Sequence, residues 1–178
     1  VGRQHETRRG VRLGLAQREP HRERTADGAQ FAAERELARE LVPGQPALVL
    51  DVAHNPHSVA ALTANLDAMG YFPTTHAVFG AMADKDLAPM LLKIAPLIDR
   101  WYFTSLPTPR AETAAGLQQK WNALEMVAGG RRQVATSIHA SPEEALRAAV
   151  EAADPADRIV VFGSFYTVGG VLKNGVPR

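Results

Sequence analysis

The densest run of chemically capable side chains is Asp51-Val52-Ala53-His54-Asn55-Pro56-His57. A carboxylate placed like Asp51 accepts hydrogen bonds from ribose hydroxyls or holds a cation. His54 and His57 add imidazoles, and Asn55 an amide. A helix beginning at Pro56 would present backbone N–H groups and a positive dipole end, both favourable to a phosphate or carboxylate. The plainer alternative is that Asp51 or Asn55 only caps that helix. The two histidines beside them are not needed for a cap.

Two further segments carry similar chemistry. Gly80-Ala-Met-Ala-Asp84-Lys85-Asp86 combines a glycine, which lets backbone approach a ligand, with a lysine able to meet an anion as a point charge. A solvated loop with Asp84 or Asp86 as a helix cap is the equal alternative. Gly163-Ser164-Phe165-Tyr166-Thr167 offers a hydroxyl and backbone donors at a second helix start, or simply a serine cap.

The surrounding pattern says what positions these segments. Residues 47–51 are a short apolar run ending in an acid, as a buried parallel strand would be. Proline at position 56 and the stripe Val59, Leu62, Leu66, Met69 predict a helix over 56–69, with Gly70 at its C-terminus. Strands are predicted at 75–80, 100–105, 133–138 and 158–163. Helices are predicted at 86–95, 113–124, from the capping box at Ser141 to about 153, and over 164–172. Five strands alternating with helices imply an α/β, Rossmann-like three-layer domain, with a mostly parallel sheet of five or six strands and helices on both faces. Ligands bind such sheets outside the carboxyl ends of the strands. That rule puts residues 51–57, 80–86, 104–110 and 163–167 on one rim.

The first 42 residues differ. They hold nine arginines and seven acids, and residues 1–26, without apolar periodicity, read as disordered or poorly packed. Asp27 could cap a helix over 29–41. Pro43-Gly44-Gln45-Pro46 marks the expected boundary between a tail, 1–42, and the domain, 43–178.

Composition narrows the function. A net charge of +1 argues against a nucleic-acid footprint. No apolar run of about 18 residues predicts a membrane span, and no signal peptide is visible. With no cysteine, disulfides and thiolate chemistry are excluded, and a cytoplasmic location is the default. The chain holds no G-x-x-x-x-G-K-[ST] loop, no G-x-G-x-x-G after its first strand and no G-x-S-x-G elbow. The histidines lack metal-ligand spacing, so no metal site is expected.

Three ordered motifs, Leu50-Asp-Val-Ala-His-Asn-Pro-His57, Val78-Phe-Gly-Ala-Met-Ala-Asp-Lys-Asp86 and Val161-Phe-Gly-Ser-Phe-Tyr-Thr-Val168, resemble the C-terminal domain of the folylpolyglutamate synthase/dihydrofolate synthase family, within the Mur ligase superfamily. The resemblance covers residues 43–172. It implies an ATP-dependent carboxylate–amine ligase that phosphorylates dihydropteroate or a folate and joins L-glutamate to the acyl phosphate. It further implies that Asp51 contacts the ATP ribose and that His54 lies near the triphosphate or acyl phosphate. Lys85 and Ser164 would bind glutamate carboxylates, Asn55 would help hold substrate and Tyr166 would line the pocket. His54 and Lys85 are the expected catalytic residues. The phosphate loop and the Mg2+ ligands would lie in an N-terminal ATPase domain, supplied in cis or in trans. Residues 1–42 resemble nothing in the family and read like an out-of-frame GC-rich stretch. The chain is therefore expected to be a truncated or frame-disrupted product, or an excised domain, and inactive alone. The alternative is a non-catalytic module that keeps the fold and a glutamate or nucleotide site.

Overall fold

Apolar runs too short for helices and rich in β-branched residues form the strands, and each stripe of period 3.6 forms a helix. A computed structural model of the chain describes residues 38–40, 44–127 and 134–173. In chain order the elements are β1 (Ala38–Glu40), β2 (Ala47–Leu50), α1 (Pro56–Ala68), β3 (Thr75–Phe79), α2 (Leu87–Ile94), a 3-10 turn (Ala95–Leu97), β4 (Arg100–Thr104), α3 (Ala114–Val127), β5 (Ala135–His139), α4 (Pro142–Ala152), β6 (Arg158–Phe162) and α5 (Phe165–Leu172).

The six strands form one sheet in the order β1-β2-β6-β3-β4-β5. β2 to β6 are mutually parallel wherever they pair, and β1 runs antiparallel to β2. This is the expected α/β, Rossmann-like architecture. Side chains alternate between two cores. Val49, Ala77, Phe79, Trp101, Phe103, Val160 and Phe162 face α1, α2 and α3. Leu48, Leu50, Val78, Tyr102, Ile159 and Val161 face α4 and α5. Right-handed crossovers require this division: β2, β3 and β4 advance across the sheet with their helices on one face, and the return from β5 to β6 must use the other.

Two expectations are corrected. Residues 38–40 form a strand where a helix over 29–41 was expected, because pairing Ala38–Glu40 with the open edge of β2 satisfies backbone groups that would otherwise form an unpaired edge. The sheet therefore includes residues that precede the Pro43-Gly44 breaker, and Gly44 lies in a turn at φ +82°. The fourth predicted strand, 133–138, is found at Ala135–His139 as an edge strand with only partial burial, which explains its weak pattern. The expected disorder of 1–26, and the part of the helix over 29–37, lie outside the described residues.

At the amino-terminal end of the sheet, away from the predicted rim, polar groups are buried and paired. The Tyr102 hydroxyl donates to His76 Nδ1 (3.1 Å), and His76 Nε2–H donates to Asp157 Oδ2 (3.3 Å). Asp157 also accepts from the backbone N–H of Thr74 and Asp154. Arg158 donates to the Leu66 carbonyl in the last turn of α1 and to Thr75 Oγ1, with its guanidinium over the Phe72 ring. The cation thus meets the negative end of a helix.

Burial drives the His76 pKa below its ordinary 6.5, against the opposing pull of Asp157. The His139 pKa is lowered as well, again mainly by burial. A depressed histidine is neutral in the fold, whereas the unfolded chain takes up its proton below pH 6.5. Stability is therefore present above that value and lost as pH falls from 6.5 toward the lower folded pKa, by at most about 1.4 kcal/mol per pH unit per group. Thermal melts of the wild type should fall between pH 7 and pH 5. A His76→Gln variant should show a flatter slope through the same window, whatever its absolute stability; parallel slopes would rule out His76 as a source.

Candidate functional site

Each parallel strand that runs into a helix delivers that helix's N-terminus to the carboxyl rim. The helices that follow β2 and β3 (α1, α2) lie on one face, and α5, which follows β6, lies on the other. Since β6 sits between β2 and β3, the sheet has its topological switch points on either side of β6. The three segments singled out in the sequence flank these two crevices.

The β2–α1 turn is held by its own polar groups. Asp51 continues the ladder through its N–H to the Val161 carbonyl, and Asp51 Oδ1 accepts from Ala53 N–H at 2.7 Å. Its side chain is nearly buried beneath the turn, at 4% exposure. His54 Nδ1–H donates to the Val52 carbonyl at 2.9 Å, a bond that fixes the tautomer and leaves Nε2 to act as an acceptor. Asn55 is the helix cap: its Oδ1 accepts from Ser58 N–H, while Ser58 Oγ accepts from the N–H groups of His54 and Asn55. Ser58 was missed in the sequence, although the Asn-x-x-Ser spacing is a variant of the capping box. Asn55 and His57 are exposed.

The loop after β3 is zipped onto the loop after β4. Ala83 N–H donates to the Arg110 carbonyl (2.9 Å), Glu112 N–H donates to the Ala81 carbonyl (3.0 Å), and Met82 faces Ala111 across an antiparallel bridge. Lys85 is half-buried, with Nζ 3.9 Å from Asp84 Oδ2, and Arg110 Nη2 reaches the same oxygen at 3.8 Å. Asp86 is the N-cap of α2 by position but makes no side-chain cap bond. Arg110 lies in the 104–110 rim segment, yet no motif in the sequence marked it.

The β6–α5 turn is the tightest of the three. Gly163 has φ +108°, and a Cβ there would lie 2.5 Å from the Gly80 carbonyl oxygen. Ser164 caps α5, its Oγ accepting from Tyr166 N–H at 3.1 Å, so the plainer expectation for this residue is met. Thr167 Oγ1–H donates to the Gly80 carbonyl at 2.8 Å, tying α5 to the end of β3. Phe165 and Tyr166 are exposed at 68% and 49%, large for aromatics on a helix N-terminus. The Phe165 ring lies 6.3 Å from that of His54.

The fold therefore brings His54 beside Phe165, the Ser164 turn onto Gly80, and Lys85 beside Asp84 and Arg110. Its rim offers helix N-termini and two cations, a set suited to ligands that carry several negative charges. Among the described residues, no group of three or more His, Asp or Glu side chains is placed to hold a metal ion. No helix among them is long and apolar enough to cross a membrane.

The Rossmann-like sheet defines an α/β domain, and the chain belongs to the family of Mur ligase glutamate ligase domains, whose pattern matches residues 37–165. Within it, the homology is to the C-terminal domain of the dihydrofolate synthase/folylpolyglutamate synthases. The Escherichia coli enzyme of that name is 34% identical over 134 residues, covering 75% of this chain and 29% of the relative. The folylpolyglutamate synthase of Lacticaseibacillus casei is 32% identical over 135 residues, covering 75% and 28%. The chain thus spans under a third of the length of these relatives. Among solved structures, a bifunctional folylpolyglutamate synthase/dihydrofolate synthase with Mn, AMPPNP and L-glutamate bound superposes with a TM-score of 0.65 at 33% identity, covering 80% of this chain and 32% of that one. Escherichia coli FolC in complex with DHPP and ADP gives 0.65 at 31%, covering 76% and 30%.

The close approach of β6 to β3 makes a direct prediction. Gly163→Ala should cost roughly 1–3 kcal/mol from the backbone conformation alone, and more from overlap with the Gly80 carbonyl. Gly70→Ala is the control, because Gly70 has φ +86° with nothing within 4 Å of a new Cβ. Denaturant midpoints should separate the two variants; equal losses would mean that the crowding at Gly163 is harmless.

Proposed function

We propose that this domain holds the incoming L-glutamate and contacts the nucleotide in an ATP-dependent ligase that joins L-glutamate to dihydropteroate or folates through an acyl phosphate. The observation that carries this reading is that the three motif segments flank the switch points around β6, with Lys85 and Arg110 on that same rim. The relatives' solved complexes contain ADP, AMPPNP, DHPP and L-glutamate, ligands rich in phosphate and carboxylate.

In this reading the chemistry is mainly positioning and charge stabilisation. A substrate carboxylate takes the terminal phosphoryl group of ATP and ADP leaves. The glutamate amine then attacks the acyl carbon, phosphate departs, and an amide forms with loss of an amine proton. Lys85 and the Ser164 turn bind glutamate carboxylates. Serine suits this role even as a cap, since a hydroxyl that accepts one bond still has a proton to donate. Tyr166 lines the pocket, Asn55 orients the β2–α1 turn against substrate, and His54 sits near the triphosphate or acyl phosphate. Asp51 is the ribose contact; its burial means that the sugar must reach it at the floor of the turn. Magnesium and the phosphate loop belong to an ATPase domain acting in cis or in trans, and the whole assembly works in the cytoplasm.

The test is reconstitution. This chain, combined with the ATPase part of a homologous synthase, should release phosphate only with Mg2+, ATP, dihydropteroate and L-glutamate together. Lys85→Ala should raise the KM for glutamate about tenfold or more, the scale of one lost charge-assisted bond, with little change in the KM for ATP. Turnover by the chain alone would contradict this division of labour. Glutamate binding without turnover in the reconstituted pair would favour a non-catalytic module.

A further inference from the structure

Asp84 is shared. One of its oxygens lies 3.9 Å from Lys85 Nζ and 3.8 Å from Arg110 Nη2. Both distances exceed a hydrogen bond, so neither cation is bonded to the carboxylate. Two positive charges therefore face one negative charge, and both keep their donors available. The side chains of Arg110, Asp84 and Lys85 are 75%, 57% and 33% exposed, so the group opens to solvent.

The backbone beneath this group is fixed even though the side chains are loosely held. Arg110 pairs in register with Ala83, the residue before Asp84, through the Ala83 N–H bond to the Arg110 carbonyl, and the Met82–Ala111 bridge continues the pairing. The acid next along the loop does not compete for Arg110. Glu112 is bonded to Lys120 and to Thr113 N–H, and these contacts hold its carboxyl below the usual range. The only acid within ion-pair reach of Arg110 among the described residues is Asp84.

We propose that Arg110 acts with Lys85 to bind one carboxylate of the amino-acid substrate, and that Asp84 is the internal anion this carboxylate displaces. This rests on the proposed glutamate-binding reading and adds a residue to it. The guanidinium supplies paired N–H donors that suit a carboxylate, whereas the lysine contributes a point charge. Asp84 holds the two cations near each other against their mutual repulsion until the ligand arrives. The arrangement selects a dicarboxylic amino acid, because one carboxylate meets the Ser164 turn and the other needs the cation pair.

NMR titration of this chain with L-glutamate, L-glutamine and L-isoglutamine tests the idea. Arg110→Ala should weaken L-glutamate binding about tenfold, as loss of a charge-assisted contact does, and Arg110→Lys should recover part of that loss. The affinity of one of the two amides, the one lacking the carboxylate that the pair binds, should be unchanged by Arg110→Ala. Asp84→Asn should tighten glutamate binding, since the displaced anion is gone; a purely structural Asp84 would give weaker binding or no change, and either result overturns its proposed role. If Lys85→Ala weakens binding and Arg110→Ala does not, Arg110 has no part in the site while the glutamate reading stands. If the wild-type chain shows no shift with L-glutamate, the reading itself fails, and the role of Arg110 fails with it.

Discussion

The rim depends on one close contact. β3 and β6 are central neighbours, and their ends leave the sheet with Gly163 close against the Gly80 carbonyl, which also accepts from the Thr167 hydroxyl. A side chain at Gly80 would meet Leu106, Thr104 and Thr167 within about the distance of a steric overlap, and one at Gly163 would strike backbone. With glycine at both positions, the loops after β3, β4 and β6 can pack against one another. The β4–α3 loop then zips onto the β3–α2 loop, and α5 starts directly beside the end of β3. The cations on two loops and the capped turn on a third are placed by these backbone contacts, with no need for direct bonds between the side chains.

Topology gathers the three motif segments around that contact. Inserting β6 between β2 and β3 sends neighbouring helices to opposite faces, so the N-termini of α1, α2 and α5 surround two crevices instead of lying in one row. Each helix end adds partial positive charge to the formal charges of Lys85 and Arg110. A field of that sign suits phosphate and carboxylate. The order of the strands, more than any single residue, makes the three motifs neighbours.

Much of this was legible in the sequence, for identifiable reasons. Strands such as Ala47–Leu50 and Arg158–Phe162 are short, apolar and ended by polar or glycine residues, and α1 carries proline at its start and glycine after its end. These are local signals, and local structure obeys them. The segments that reach the rim followed from the strand–helix alternation. Three things were not legible. β1 forms only because β2 offers an open edge, a long-range condition that outweighs the helical look of 29–41 within 38–40. Strand order is not encoded in any one segment. Arg110 looks like any loop arginine until the register between two loops sets it beside Asp84. The sequence also left cap or ligand open for Asn55 and Ser164. Both side chains do cap helices, so a ligand role for either must coexist with that work.

The two ends of the sheet hold their polar groups differently. At the strand starts His76 and Asp157 are almost fully buried, and each has partners for its polar atoms. Breaking such a network leaves a desolvated group unsatisfied, a loss of about 1–3 kcal/mol for each bond, so that end resists change. At the strand ends the pairs are long, the cations are exposed, and Phe165 and Tyr166 stand in solvent. Exposed pairs of that kind contribute little to folding, about 0–1 kcal/mol, and for that reason they can be exchanged for contacts with a ligand at small cost to the domain. The rim combines a rigid backbone with replaceable side-chain contacts, which is what a site needs if its occupant arrives and leaves in every catalytic cycle.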